Sequence, residues 1–287
     1  GVSPLTLSAA REAAGGDDPF AFACAKLEEL SAKIPQAYDA VLIDEAHDFE
    51  PQWLALAAKM VNPRTKALMV VYDDIQAIYK GRESPVWRQL GIEAQGRTTV
   101  LKDNYRNTAQ IVAFARRFAS DVIGAPGTIA GNEHAILLPE DAGRQGMVPE
   151  VRQCVSIDAE AHCVAEWFLG RKKAGYEWPQ MACLYPEHWI GEKVAQILTK
   201  HEVPIDMAKN NRNRVSTKKM AVRLLSLHTA KGLEFPCVAI AGLDLLGRHG
   251  EPVEECDRLT YVGVTRATHE ALLTYSSESA LVQRLIA

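Results

Sequence analysis

Asp39 to Glu50, DAVLIDEAHDFE, is the stretch that decides how the chain is read. Four apolar residues, Ala40, Val41, Leu42 and Ile43, stop abruptly at two adjacent carboxylates, Asp44 and Glu45. A short apolar run of this kind reads as a buried parallel strand that delivers its last residues to the carboxyl edge of a sheet. Open α/β sheets place their ligands at that edge. Two neighbouring acids there suit a nucleotide triphosphatase: the first can hold Mg2+, directly or through a water, and the second can orient or deprotonate the attacking water. A lone Asp-Glu pair reads as a strand running into a polar turn; the full string, DEAHD after four apolar residues, points to chemistry.

Outward from this segment, size and composition set the frame. A chain of 287 residues with 47% hydrophobic content can fill one large or two medium cores. The formal net charge of −4 gives no global field that would attract nucleic acid, so any such binding needs a local patch. Cys24, Cys154, Cys163, Cys183, Cys237 and Cys256 are scattered, with neither a CxxC pair nor zinc-finger spacing, and read as reduced thiols. No apolar stretch reaches membrane-spanning length and the N-terminus lacks the order of a signal peptide, so the expected protein is soluble and cytoplasmic, without a membrane partner.

Residues 1–19 read as a loop, and Phe20 to Lys33 has helical spacing that Pro35 ends. After the opening strand, Pro51 starts a helix that carries Trp53, Leu54, Ala57 and Met60. Lys66 to Tyr72 is expected to be a second buried strand, ending in Asp73, Asp74 and, two residues on, Gln76, an uncharged amide beside the first acidic edge. Thr98 to Lys102 reads as a third strand, followed by Asn104-Tyr105-Arg106-Asn107-Thr108 and a helix from Ala109 to about Val122, with Asn107 or Thr108 as its cap. Tyr105 offers a flat face for a base and Arg106 a permanent fork of donors for phosphate. Gly124 to Gly146 reads as a loop.

From Pro149 onward, strand and helix alternate: strands over 151–155, 180–185 and 203–207, helices over 159–173 and 189–201. This implies a second parallel α/β sheet. Lys209 to Arg223 carries six basic residues, Lys218 and Lys219 among them, and no acid; such a run can contact a phosphate backbone. Leu224 to Leu227 is a strand that breaks into His228-Thr229-Ala230-Lys231-Gly232-Leu233-Glu234 before another strand at Val238. Glu254 to Ala267 spaces its apolar residues for a helix and puts Arg258 and Arg266 roughly on one face. An arginine at such a helix tip can push a fixed positive charge into a cleft.

Five strings in this order, DEAHD, DDIQAIY, LKDNYRNT, LLSLHTAKGLEF and RLTYVGVTRA, look like motifs II, III, IV, V and VI of the UvrD/Rep family of superfamily 1 helicases. The resemblance spans residues 39 to about 275. It implies two RecA-like lobes of P-loop NTPase type, parallel sheets with flanking helices, and ATP-driven movement along single-stranded DNA. By resemblance, Asp44 would ligate Mg2+ and Glu45 would be the catalytic base. Gln76 would link the γ-phosphate to the DNA side, Tyr105 would stack on adenine, Arg106 and Arg266 would hold the γ-phosphate, and Gly232 and Glu234 would meet the nucleotide, Glu234 at its ribose. His228, Thr229, Tyr79 and Arg82 would lie near the nucleic acid.

The sequence also departs from that pattern. It contains no GxxxxGK(S/T), the loop that cradles phosphates, so the expectation is a partial first lobe over 1–101 and a nearly complete second lobe over 102–287. The P-loop region would then come from upstream in the same protein, and the chain alone would turn over poorly. Where the family has an aromatic residue two positions after Tyr79, this chain has Gly81. Trp87 has the wrong spacing to replace it and is expected in the core. Two rival readings accompany the helicase: a catalytically inactive binding module that kept the fold, and the helicase part of a helicase-nuclease.

Overall fold

The structure, a computed structural model, describes residues 38–73, 87–99, 103–123, 140–141, 143–207 and 220–286. They form two compact units, one from the described residues up to Thr99 and one from those after it.

In the first unit, β1 (Ala40–Ile43) pairs in parallel with β2 (Ala67–Val70), in register Ala40↔Ala67 to Ile43↔Val70. The helix α1 (Pro51–Lys59) begins at Pro51, whose fixed φ and missing N–H suit the first helical position. Ile43, Ala46 and Leu54 form the buried centre, with Tyr72 and Trp87 packed around it. Trp87, expected in the core, packs against it partly buried, and its ring meets Tyr72 edge-on at 5.5 Å. The strands are not buried on both faces as their apolar runs predict: Leu42, Met69 and Val71 are exposed. Side chains alternate across a strand, and α1 covers only the face that carries Ile43.

The second unit holds the larger core. It opens with β3 (Asp103–Asn104), α2 (Ala109–Ile123) and β4 (Glu140–Asp141), where β3 and β4 make a short parallel pair. Residues 98–99, where a strand was expected to begin, are irregular, and the rest of that expected strand lies outside the described residues. Then follow β5 (Glu150–Gln153), α3 (Ile157–Lys173), β6 (Met181–Tyr185), α4 (His188–Lys200), β7 (Ile205–Met207), β8 (Val222–Ser226), β9 (Phe235–Ile240), α5 (Val253–Thr265), β10 (Ala267–Tyr275) and α6 (Ala280–Ile286). Six strands form one sheet in the order β5-β10-β9-β6-β8-β7, every pair parallel.

The sheet is covered on both faces, which is why its strands read as near-continuous apolar runs. Met181, Cys183 and Tyr185 of β6 pack with Trp167, Phe168, Ile190 and Val194 of α3 and α4. The alternate residues face α5: a Cβ added at Gly263 would come within 2.6 Å of Leu227 and 3.0 Å of Ile240. α3 starts where the Ser156 hydroxyl accepts from Ala159 N–H at 3.2 Å, with Asp158 and Glu160 in its first turn and Arg171, Lys172 and Lys173 in its last. That charge order matches the helix dipole.

Glu160 is fully buried against the sheet's carboxyl edge, where Oε2 accepts from Gly242 N–H at 2.8 Å and from the Thr274 hydroxyl at 2.7 Å. Desolvation holds this carboxyl above its ordinary pKa, against the pull of those hydrogen bonds. Among the described cysteines all are free, and desolvation lifts the Cys154 and Cys256 thiols to about 11 and Cys237 to about 12, which keeps them protonated. Among the described residues, no helix is long and apolar enough to cross a membrane.

Candidate functional site

The first unit places Asp44 and Glu45 immediately beyond β1, at the carboxyl edge. Asp44 Oδ1 accepts the Glu45 N–H at 2.9 Å, and Glu45 adopts a left-handed backbone with φ 53°. For a residue with a Cβ this conformation costs about 1–2 kcal/mol, and it persists where surrounding contacts fix it. Here Ala46 N–H donates to the Val71 carbonyl at 2.9 Å, pinning the turn to the end of β2.

A residue given no role by sequence reasoning completes this edge. His47 is buried, its Nδ1 accepts the Asp73 N–H at 3.1 Å, and its Nε2 lies 3.0 Å from Glu45 Oε2. Because Nδ1 is the acceptor, the neutral ring carries its proton on Nε2, facing the carboxylate. His47 therefore holds the strand end at Asp73 and places its Nε2 beside the Glu45 carboxylate. Gln76, Tyr79 and Arg82 lie outside the described residues.

In the second unit, three distant stretches meet at the amino-terminal edge of the sheet, where β9 and β10 begin. Arg106 Nε is 2.6 Å from Glu234 Oε1, and both side chains are partly exposed, at 50% and 37%. An ion pair this open to solvent is worth about 0–1 kcal/mol, so it exchanges readily for a ligand. Tyr105 is exposed and presents its ring to solvent. Gly232 has φ +75°, a conformation that favours glycine, on the turn leading to Glu234.

Arg266 behaves differently from a tip that projects into a cleft. It is only 1% exposed, and its guanidinium donates from Nε to the Val262 carbonyl at 3.0 Å and from Nη1 to the Leu233 carbonyl at 3.3 Å. Its own carbonyl accepts the Phe235 N–H at 2.9 Å, which closes the start of β9 on the start of β10. Arg266 thus grips the backbone next to Glu234.

The bonds that hold this edge come from residues without an assigned role. Asn107, one of the two candidate helix caps, instead sends Nδ2 to the Thr265 carbonyl at 2.9 Å and to the Ala267 carbonyl, on either side of Arg266. Thr108 Oγ1 faces the α2 start, 3.5 Å from Ile111 N–H. Asn104 Oδ1 accepts the N–H groups of Arg106 and Asn107 at 2.9 and 3.0 Å. Arg144 Nη1 donates to the Arg106 carbonyl at 2.6 Å and reaches the Tyr105 carbonyl at 3.4 Å. The Tyr105-Arg106 loop is consequently fixed from both sides.

His228 and Thr229 sit elsewhere, beyond the carboxyl end of β8. Thr229 Oγ1 is hydrogen-bonded to Ser226 Oγ at 2.8 Å, and both residues are exposed. Desolvation lowers the His228 pKa, with Glu255 pulling the other way, so the ring is neutral at pH 7. Residues 227–234 run from the carboxyl edge of β8 back to the amino edge of β9, joining the two places through one short segment. Lys218 and Lys219 lie outside the described residues. Among the described residues, no three His, Cys, Asp or Glu side chains converge as a metal site.

Comparison with known proteins gives two family matches. Residues 12–89 match the UvrD/REP helicase N-terminal domain and residues 205–278 the UvrD-like helicase C-terminal domain. DNA helicase II of Escherichia coli is 43% identical over 75 residues, which is 24% of this chain and 10% of that protein. ATP-dependent DNA helicase PcrA of Bacillus subtilis is 43% identical over 74 residues, 23% of this chain and 10% of that protein. A Mycoplasma capricolum protein named as a probable DNA helicase II homolog is 25% identical over 182 residues, 62% of this chain and 24% of that protein. A solved structure, the C-terminal domain of a possible DNA helicase from Lactobacillus plantarum, gives a TM-score of 0.46 at 21% identity, covering 63% of this chain and 94% of that one. The chain spans about a tenth to a quarter of the length of these full-length relatives.

Proposed function

The chain belongs with the UvrD/Rep-like helicases, and from that premise we propose that it serves ATP-dependent translocation along single-stranded DNA. The observation that carries this reading is the meeting of Arg106, Glu234 and Arg266 at one sheet edge, with Arg106 more than a hundred residues from the other two in sequence and Asn107 bonded on both sides of Arg266.

In this reading Asp44 is the Mg2+ ligand: an exposed strand-end carboxylate supplies the hard oxygen donor that this ion takes, usually one or two carboxylates alongside substrate phosphates. When bound, Mg2+ would neutralise charge on the phosphate oxygens. Glu45 accepts the proton of the attacking water, and His47 keeps its carboxylate in place. Arg106 leaves its exposed pairing with Glu234 to meet phosphate charge, which frees Glu234 to accept a ribose hydroxyl. Tyr105 stacks on the base, and Gly232 lets the chain turn close to the nucleotide. Gln76 relays the state of the γ-phosphate toward DNA. His228, neutral and therefore able both to donate and to accept, works with the Thr229 hydroxyl on the nucleic acid, with Tyr79, Arg82, Lys218 and Lys219 as further contacts.

The sequence contains no phosphate-cradling GxxxxGK(S/T) loop, so we assign that part to another segment of the same polypeptide. A cytoplasmic location belongs to the same reading. Single-strand-stimulated ATP hydrolysis by the intact gene product tests the proposal: turnover that depends on DNA supports it, and absence of both ATP binding and turnover refutes it. The inward guanidinium of Arg266 favours a second reading, a helicase-like binding module in which this arginine is structural. Arg266→Lys separates the two, since lysine cannot reproduce the fork toward phosphate but can bond one carbonyl. A slow enzyme of normal stability supports the motor, and unchanged DNA binding without any measurable hydrolysis in either protein supports the module.

A further inference from the structure

α4 begins just beyond the carboxyl end of β6 and carries Trp189 in its first turn, 42% exposed. The indole Nε1–H donates to Glu187 Oε2 at 2.7 Å, and Glu187 Oε1 lies 3.2 Å from His249 Nε2. The polar edge of the ring is thus anchored through a carboxylate that is itself held. The other nearby acid, Glu192, is 3.5 Å from His188, so the carboxylates beside the indole each face an imidazole.

The helix start beneath the indole is firmly seated. Ile190 is fully buried, and a Cβ at Gly191 would come within 2.4 Å of the Tyr185 ring. An exposed tryptophan whose only polar group is satisfied presents a fixed apolar π-face to solvent, at a standing cost in exposed apolar area.

Its position gives that face a use. β6 and β8 are neighbours in parallel, with Tyr185 opposite Ser226 and Leu227 N–H donating to the Tyr185 carbonyl at 3.0 Å. The chain leaving β6 toward Trp189 therefore emerges beside the chain leaving β8 toward His228 and Thr229, from strands about 4.8 Å apart. The usual motif III stacking position holds Gly81, and Trp87 is committed to the core of its own unit.

We propose that Trp189 is a base-stacking platform for single-stranded DNA at the carboxyl edge of the second unit's sheet, a contact outside the five motifs. It rests on the helicase reading. Every base has a π-face, so the contact is sequence-tolerant and contributes affinity without readout.

The test is binding of a fluorescent oligo-dT, and of the same oligonucleotide with abasic sites, by fluorescence anisotropy across a salt series. Trp189→Ala should weaken oligo-dT binding about 5- to 150-fold, and Trp189→Phe should recover most of it. The slope against salt should not change, because no phosphate contact is removed. Abasic sites should weaken the wild type but cost Trp189→Ala little more. Trp189→Leu, which keeps apolar bulk without the π-face, guards against loss of folding and should behave like the alanine variant. The proposal falls if both non-aromatic variants bind as tightly as the wild type, if the salt slope drops with the affinity, or if only self-association changes. Failure of the wild type to bind single strands would sink the helicase reading itself, an outcome distinct from a wild type that binds and variants that bind equally well.

Discussion

Replacing Asn107 with alanine should cost the second unit about 2–4 kcal/mol of stability. The side chain is 1% exposed and spends both amide hydrogens on the Thr265 and Ala267 carbonyls, while Oδ1 accepts from Asn104 Nδ2 at 2.8 Å. Alanine removes three hydrogen bonds and leaves two buried carbonyls without these donors. A stranded buried acceptor costs about 1–3 kcal/mol, and partial relaxation keeps the total near the lower part of that sum. The folding equilibrium should shift by roughly 30- to 700-fold, at about 1.4 kcal/mol per factor of ten. Urea unfolding followed by circular dichroism reads this as a lower midpoint at unchanged slope, in the transition of the second unit. Asn107→Asp should be no better, since it keeps the volume but loses both donors and buries a charge. A loss under about 0.5 kcal/mol would show that Asn107 does not hold this edge.

Glu160→Gln should raise stability at neutral pH. The raised native pKa means the folded state binds more protons than the unfolded one between the ordinary value, near 4.5, and the native value, so wild-type stability falls as pH rises through that window. The glutamine variant should lack that slope in a pH series of thermal melts, and an unchanged slope would remove Glu160 as its source. Arg144→Ala should slow single-strand-stimulated ATP hydrolysis about tenfold by freeing the Arg106 loop, with stability changed by less than about 1 kcal/mol; Arg144→Lys should restore part of the rate. His47→Ala should lower kcat about 10- to 100-fold by releasing Glu45, whereas His47→Gln, whose amide can accept from Asp73 N–H and donate to Glu45, should stay near the wild type. Equal activity of both His47 variants would leave the imidazole without a positioning role.

The alternation of apolar runs and helical spacing made β5 to β8 legible, with ends off by one or two residues, and β9 with its start read three residues late, because each strand is covered on both faces and each helix on one; β10 (Ala267–Tyr275) was not anticipated. The first unit misled for the same physical reason: an apolar run does not say how many faces are covered, and Leu42 and Met69 are exposed despite it. Asp44 and Glu45 could be singled out as acids stopping an apolar run at a strand end and Arg106 by its guanidinium fork, whereas Glu234 was named only through the family resemblance. Of the two cap candidates, Thr108 takes that place, whereas the use of Asn107 could not be read, since its partners are 158 and 160 residues away. Arg266 was read as a helix-tip charge reaching into a cleft; its bond to the Val262 carbonyl lies within its own helix, and its capture by the Leu233 carbonyl is a tertiary fact with no local signal. His47 and Arg144 act through ring tautomer and backbone carbonyls, which no spacing rule encodes.

In the proposed reading, hydrolysis at the acidic edge beyond β1 depends on Glu45. The most direct measurement is steady-state ATP turnover of the intact gene product on single-stranded DNA, wild type beside Glu45→Gln, with ATP binding measured in the same samples. Glu45→Gln should bind ATP within about threefold of the wild type while turnover drops by about 10²-fold or more. Near-normal turnover by Glu45→Gln would contradict it, because the proton of the attacking water would then have another acceptor.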